Sequence, residues 1–168
     1  ADAPKKGGRF RLGVQGGNTA DNGDPALITN TFMQVYNYTT RNNLVEVDHT
    51  MSPVPELAES WESTPDARKW VFKLRRGVEF HNGKTMDAED VIWSIQRHRT
   101  EESKSAAKAL LTSIKEIKAE DKYTLSFELK SGSADFPFLM SDYHLTICPA
   151  GTTDFMPNIG TGAYQQVS

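Results

Sequence analysis

Residues Pro53–Ile95 read PVPELAESWESTPDARKWVFKLRRGVEFHNGKTMDAEDVIWSI, and this stretch decides the fold. Leu57 and Trp61 mark an extended run that closes at Thr64-Pro65-Asp66. Pro65 presets a turn angle, and Asp66 can bond its own backbone two residues on. Trp70, Phe72 and Leu74 then alternate with Val71, Lys73 and Arg75, the period of two that buries one face of a strand. Gly77 and Asn82-Gly83 interrupt the extended chain. Asp87 is placed to cap a helix with the apolar face Ala88, Val91, Ile92 and Ile95. Glu89 and Asp90 stand in its first turn and Arg97 and Arg99 in its last, as the helix dipole favours. These local signals predict a hairpin, a turn and an amphipathic helix, and no activity.

On the N-terminal side, Phe10, Leu12 and Val14 predict a short strand over Arg9–Val14. The glycine-rich loop that follows, through Gly16, Gly17, Asn18 and Thr19, lacks both the Gly-x-Gly-x-x-Gly spacing and a closing Gly-Lys-Ser/Thr. It therefore reads as a surface turn rather than a phosphate cradle. Asp24 with Pro25 predicts the start of a helix. Its stripe, Leu27, Ile28, Thr31, Phe32, Val35 and Tyr36, reads as core, with Tyr36, Asn37 and Tyr38 alternatively facing a cleft. A short strand is expected over Leu44–Val47.

On the C-terminal side, Glu101–Leu111 suggests a second, shorter helix. Tyr123, Leu125, Phe127 and Leu129 alternate with polar residues, predicting a strand antiparallel to Ile114–Ala119. Asp135 or Ser133 is expected to cap one helical turn containing Phe136, Phe138, Leu139 and Met140. The polar insert Ser141-Asp142-Tyr143-His144 lies between apolar flanks. It reads either as a surface turn capped by Asp142 or as a ligand contact through Tyr143 and His144.

Composition excludes several classes. The chain has 168 residues, 38% hydrophobic and 24% charged, which suits one domain with a real core or about one and a half small ones. Net charge is −3 and no Lys/Arg cluster is interleaved with aromatics, so nucleic acid is not an expected partner. No apolar run is long enough to span a bilayer. The single cysteine, Cys148, reads as a buried apolar residue rather than a nucleophile. His49, His81, His98 and His144 have no metal-ligand spacing, and no Gly-x-Ser-x-Gly elbow is present. The acid pairs Glu101–Glu102 and Glu120–Asp121 lie in polar surroundings and read as solvated faces. No catalytic residue, metal or cofactor is expected.

The wording PELAESWE, KWVFKLRRGVEFHNG and DAEDVIWSI resembles the family 5 extracellular solute-binding proteins, the dipeptide, oligopeptide and nickel receptors of ABC importers. The opening GGRFRLGVQ…GDPA and the closing IGTGAY agree, in order, from Gly7 to Tyr164. Two positions depart from the family pattern. Ala67 stands in the hairpin turn where glycine is usual and cannot adopt a positive φ as cheaply, so a different turn type is expected there. Ala163 replaces a usual proline, leaving Gly160 and Gly162 to make the turn.

The resemblance implies an α/β protein: the N-terminal part of a two-lobed periplasmic binding protein-like II fold, with a partial mixed sheet from the termini and a small α+β subdomain. Residues 1–43 would begin lobe I, 44–150 form the inserted subdomain and 151–168 return to lobe I, with lobe II absent. Family members are several times longer, so the chain resembles an N-terminal fragment. The implied function is capture of a peptide-like or other small solute and its delivery to a membrane permease, without enzymatic activity. The implied location is periplasmic or cell-surface, with Ala1–Lys6 the end left after signal-peptide removal. The alternatives are a hydrolase or a protein-interaction module on the same scaffold. Gly17, Asn18, Thr19, Tyr36, Tyr38, Asp142, Tyr143 and His144 are the candidate ligand contacts.

Overall fold

Trp70, Phe72 and Leu74 do line one face of a strand, and a four-stranded sheet forms around it. The computed structural model describes residues 7–167, so the Ala1–Lys6 start lies outside the described residues. Strand β4 (Lys69–Leu74) pairs antiparallel with β3 (Ala58–Ser63) and with β6 (Thr124–Leu129), and β6 pairs antiparallel with β5 (Ile114–Asp121). The sheet order is β3-β4-β6-β5. Register places Phe72 between Trp61 and Leu125, and Trp70 opposite Phe127. One face of the sheet therefore carries Trp70, Phe72, Leu74, Leu125, Phe127 and Leu129, all buried.

That face packs under helix α2 (Ala88–Gln96) and the short helix α3 (Phe136–Leu139). Ala88, Val91 and Ile95 are buried as the helical period requires. Phe136 stands edge-on to Phe127 (ring centroids 5.0 Å) and to Phe72 (6.1 Å). Such pairs add about 1 kcal/mol each beyond the area they bury. The opposite face carries exposed pairs, Lys69–Glu120 and Lys115–Glu128, which set solubility more than stability. A separate two-stranded ribbon joins β1 (Val45–Val47) and β2 (Pro53–Pro55).

The cap of α2 does more than its sequence suggests. Asp87 accepts from the Glu89 N–H, and Asp90 accepts from the Asp87 N–H in a reciprocal capping box. Asp90 is fully buried and also holds Lys84 and the Ala150 N–H. An acidic first-turn residue thus ties the helix to the segment after Pro149.

Several local expectations are corrected. Residues 7–14 form no strand, with Phe10 84% and Leu12 60% exposed. No described strand lies beside them to take their backbone hydrogen bonds. Consequently the mixed sheet expected from the termini is not formed among the described residues, where all pairings are antiparallel.

Asp24 caps only the 3-10 turn Pro25–Leu27, and helix α1 (Thr31–Thr40) starts afresh after Asn30, whose Oδ1 accepts from the Met33 N–H. This break rotates the expected stripe. Met33, Asn37 and Thr40 face inward, while Leu27 and Phe32 are exposed. The inward face is polar because Asn37 and Thr40 meet polar partners: Tyr143, Thr146, Arg41 and Asn158.

Residues 101–111 form no α-helix, only the 3-10 turns Ala106–Lys108 and Leu110–Ser113, with Ser105 capping the first. Asp135 sits at the N-cap of α3 without a side-chain cap bond. Ala67 adopts positive φ (51°) despite its cost to alanine. Its N–H bonds the Thr64 carbonyl and its own carbonyl accepts from the Ser133 N–H and the Trp70 indole. These bonds offset the roughly 1 kcal/mol that a left-handed alanine costs.

Candidate functional site

Three segments converge on α1. The first is the loop before it. Asp21 accepts from the Asn18 N–H and from the Asn30 side chain, both at 2.8 Å, so this loop is tied to the helix cap. A Cβ on Gly17 would meet the Phe32 ring at 3.3 Å. Phe32 in turn stacks on Tyr36, with centroids 5.9 Å apart and planes within 8°. Tyr36 donates its hydroxyl to Gln166. Gly17, Asn18, Thr19 and Tyr36 therefore share one accessible surface, with Phe32 at its centre. Phe32 was read as core; its i, i+4 spacing to Tyr36 fits that reading equally well.

The second segment is Ser141–His144, on the other flank of α1. Asp142 Oδ1 accepts from the His144 N–H (3.0 Å) and lies 2.7 Å from His144 Nδ1. His144 Nε2 lies 3.2 Å from the Ile28 carbonyl oxygen, which links this segment to the loop before α1. Asn37 and Asn43 donate to the carbonyls of Tyr143 and Asp142. Burial pushes the Asp142 carboxyl up, but hydrogen bonds from the His144 ring and backbone outweigh it and hold it below the usual range. His144 is 4% exposed, so it positions the loop rather than facing solvent. Tyr143 is half-buried, its ring 4.0 Å from that of His144.

The third feature is a cleft of about 640 Å³ lined by Tyr38, Glu46, Val47, Met51, Glu56 and Ser141, among others. Tyr38 projects from α1 about 200° around from Tyr36, so the two tyrosines serve different surfaces. Glu56 accepts from the Asn42 side chain and the Asn43 N–H. Burial pushes its carboxyl up to about 7 despite those bonds, with the Glu46 charge adding to the rise. Tyr38 is pushed up to about 12 by burial and by the negative charges of Asp142 and Glu56. Burial at this cleft disfavours carboxylate charge. Glu56 belongs to the PELAESW wording, yet nothing in its spacing shows that it lines a cleft.

Beneath these surfaces lies a polar hub. Arg41, 1% exposed, donates to the Gly23 and Ile159 carbonyls and to Asn37 Oδ1. Arg97 grips Asp24 through two 2.8 Å bonds and lies 4.5 Å over the Phe155 ring. His81 reads as a structural turn, and so it is: Nδ1 accepts from the Gly160 N–H and Nε2 donates to the Gly162 carbonyl. Cys148 is fully buried, which raises its thiol pKa and matches the apolar reading. Among the described residues no group of three His, Cys, Asp or Glu side chains is placed to hold a metal ion. No helix among them is long and apolar enough to cross a membrane.

Comparison with known proteins gives this architecture its class. Residues 52–168 match the family described as bacterial extracellular solute-binding proteins, family 5 Middle. The dipeptide-binding protein of Escherichia coli (strain K12) is 30% identical over 154 residues, which cover 74% of this chain and 29% of that protein. Two solved structures share the fold. The nickel ABC transporter of Bacillus halodurans is 32% identical with a TM-score of 0.73, over 86% of this chain and 29% of that one. The periplasmic binding protein AgaA of A. tumefaciens R10, solved with agropinic acid, is 25% identical with a TM-score of 0.81, over 88% of this chain and 31% of that one. The fold is that of a segment of a periplasmic binding protein, and the chain spans less than a third of these relatives. The chain belongs to the bacterial extracellular solute-binding proteins of family 5.

Proposed function

We propose that this chain forms part of the first lobe of an ABC-importer receptor that captures a small solute or peptide and hands it to a membrane permease. On this reading the protein is exported, works at the periplasm or cell surface, and catalyses no reaction. Residues 1–43 and 151–168 belong to the lobe proper, and 44–150 form a subdomain inserted in it. The solute is closed over by a second lobe that residues 1–168 do not supply. Closure is a population shift driven by contacts made only in the closed state.

The observation that carries the proposal is the tie between His144 and the Ile28 carbonyl, which sets the loop of Gly17, Asn18 and Thr19 and the Tyr143 segment around the start of α1. Accessible backbone, a carboxamide, a hydroxyl and aromatic rings suit recognition of a polar solute with an apolar part. The relatives named above concern a dipeptide, nickel and agropinic acid, so family membership leaves the solute class open.

Native mass spectrometry of the gene product purified from its own host tests the reading. A retained small molecule, lost from the Asn18→Ala and Tyr143→Ala variants while both remain folded, supports it. Retention unchanged in both variants removes this surface as the site.

A further inference from the structure

His144 stands with both ring nitrogens against oxygen atoms that only accept. Nδ1 is 2.7 Å from Asp142 Oδ1, and Nε2 is 3.2 Å from the carbonyl oxygen of Ile28. A carbonyl cannot donate, nor can an ionised carboxylate. Asp142 is ionised, because its hydrogen bonds from His144 hold its carboxyl below the usual range. A neutral imidazole carries a single N–H, so it can fill one of these contacts only by turning a lone pair on the other. His144 and Ile28 are 4% and 3% exposed, so bulk solvent does not reach this contact.

We propose that His144 is a protonation-dependent latch: as imidazolium it pins the Ile28 carbonyl to the Asp142–His144 segment, and as neutral imidazole it releases that carbonyl. The direction of release follows from charge. On losing one proton the ring keeps the N–H that faces the carboxylate, so the Nε2 contact is the one that fails. Ile28 then holds a buried, unpaired carbonyl, and the backbone between the Pro25–Leu27 turn and the Asn30 cap must move to satisfy it.

The neighbouring charges leave Asp142 as the counter-ion. Asp24 caps the turn ahead of Ile28, and both its oxygens are taken by Arg97. His98, at the end of α2, feels His144, Asp142, Asp24 and Arg97. Burial holds His98 neutral down to about 4, so it adds no competing positive charge near neutrality. Asp142 is the only carboxylate among the described residues within ion-pair distance of the His144 ring.

Amide hydrogen exchange at residues 27–30 of the full gene product, from about pH 5.5 to about pH 8.5, tests the latch beside the ring nitrogen shifts of His144. After correction for base catalysis, protection should fall by about tenfold at the same midpoint as the loss of the Nε2 proton. Asp142→Asn keeps an acceptor but removes the charge, and should move that midpoint to lower pH. His144→Leu, which has no donor, should leave protection low and independent of pH. The proposal is overturned if protection at 27–30 stays constant while His144 titrates, or if the ring is neutral across the whole range. Each variant decides separately, so one that does not fold leaves the other. No solute is added, so the outcome does not depend on the receptor reading. On that reading, solute capture weakens as pH rises.

Discussion

Gly160 lies so close to Thr40 that a Cβ on the glycine would sit 2.2 Å from the Thr40 carbonyl oxygen. The neighbouring Gly162 meets the same backbone, at 2.4 Å from the Thr40 carbonyl carbon. Neither glycine has positive φ among the described residues, so they are not there to make a turn. They let the IGTG segment lie on the end of α1, where Gly162 N–H bonds the Thr40 carbonyl at 2.9 Å. His81 clips the other side of that segment.

Gly160→Ala should therefore be severe. The obstructing atoms are the Thr40 and Arg41 backbone, which cannot rotate away, and the stem of the buried Arg41, so about 3 kcal/mol or more is expected. Urea unfolding followed by tryptophan fluorescence checks this. A midpoint unchanged from the parent would mean that the segment can lift off α1 at little cost.

Ala67→Gly should act in the opposite direction. It removes the strain of positive φ at 51°, worth about 1 kcal/mol, and gives back part of that through the greater freedom of an unfolded glycine. A net gain of about 0.5 kcal/mol is expected in the same assay. A loss would show that the packing of the Ala67 methyl outweighs the strain.

His98 and Glu56 should make stability respond to pH with opposite signs. His98 is lowered from 6.5 to about 4 by burial, with the positive charge of Arg97 contributing. The unfolded chain binds that proton first, so stability falls as pH drops from 6.5 towards 4. Glu56 is raised from 4.5 to about 7, chiefly by burial, so the folded chain keeps its proton longer and stability falls as pH rises from 4.5 to 7. Each effect amounts to about 3 kcal/mol at most, and in this shared window they offset each other. Glu56→Gln should expose the His98 slope, stability rising with pH. His98→Asn, whose Oδ1 can still accept from Ser105, should expose the Glu56 slope, stability falling with pH. Urea midpoints between pH 4 and pH 7 measure both. Parallel curves for the two variants would refute the opposition.

Arg97 should resist conservative replacement. Its fork fills both Asp24 oxygens and its plane lies on Phe155. Lysine supplies neither the fork nor the plane, so Arg97→Lys should cost about 1–2 kcal/mol. Arg97→Ala should cost about 3 kcal/mol by leaving a partly buried carboxylate unpaired. A double-mutant cycle with Asp24→Asn separates the pair from the stack. A coupling energy near zero would assign the whole effect to Phe155.

The central hairpin, helix α2 and the β5–β6 pair were legible because each is specified by neighbours in sequence. Alternation at Trp70, Phe72 and Leu74, and an aspartate before an amphipathic run, are local patterns with local consequences. The family wording is legible for the same reason, since much of it lies on these elements. The candidate contacts differ in exposure. Gly17 to Thr19 and Tyr143 are accessible, whereas His144 is a buried tie between segments.

What sequence alone determined, then, is the set of elements whose pattern repeats within a few residues, together with the family they belong to. Tertiary structure decided which face of α1 turns inward, because Asn37 and Thr40 find partners more than a hundred residues away in Thr146 and Asn158. It decided that Tyr36 and Tyr38 serve different surfaces, and that Glu56 borders a cleft. It decided that Gly160 and Gly162 are needed for close approach rather than for φ. Those outcomes depend on which distant groups complete a hydrogen bond or occupy a space, and a one-dimensional pattern carries no term for either.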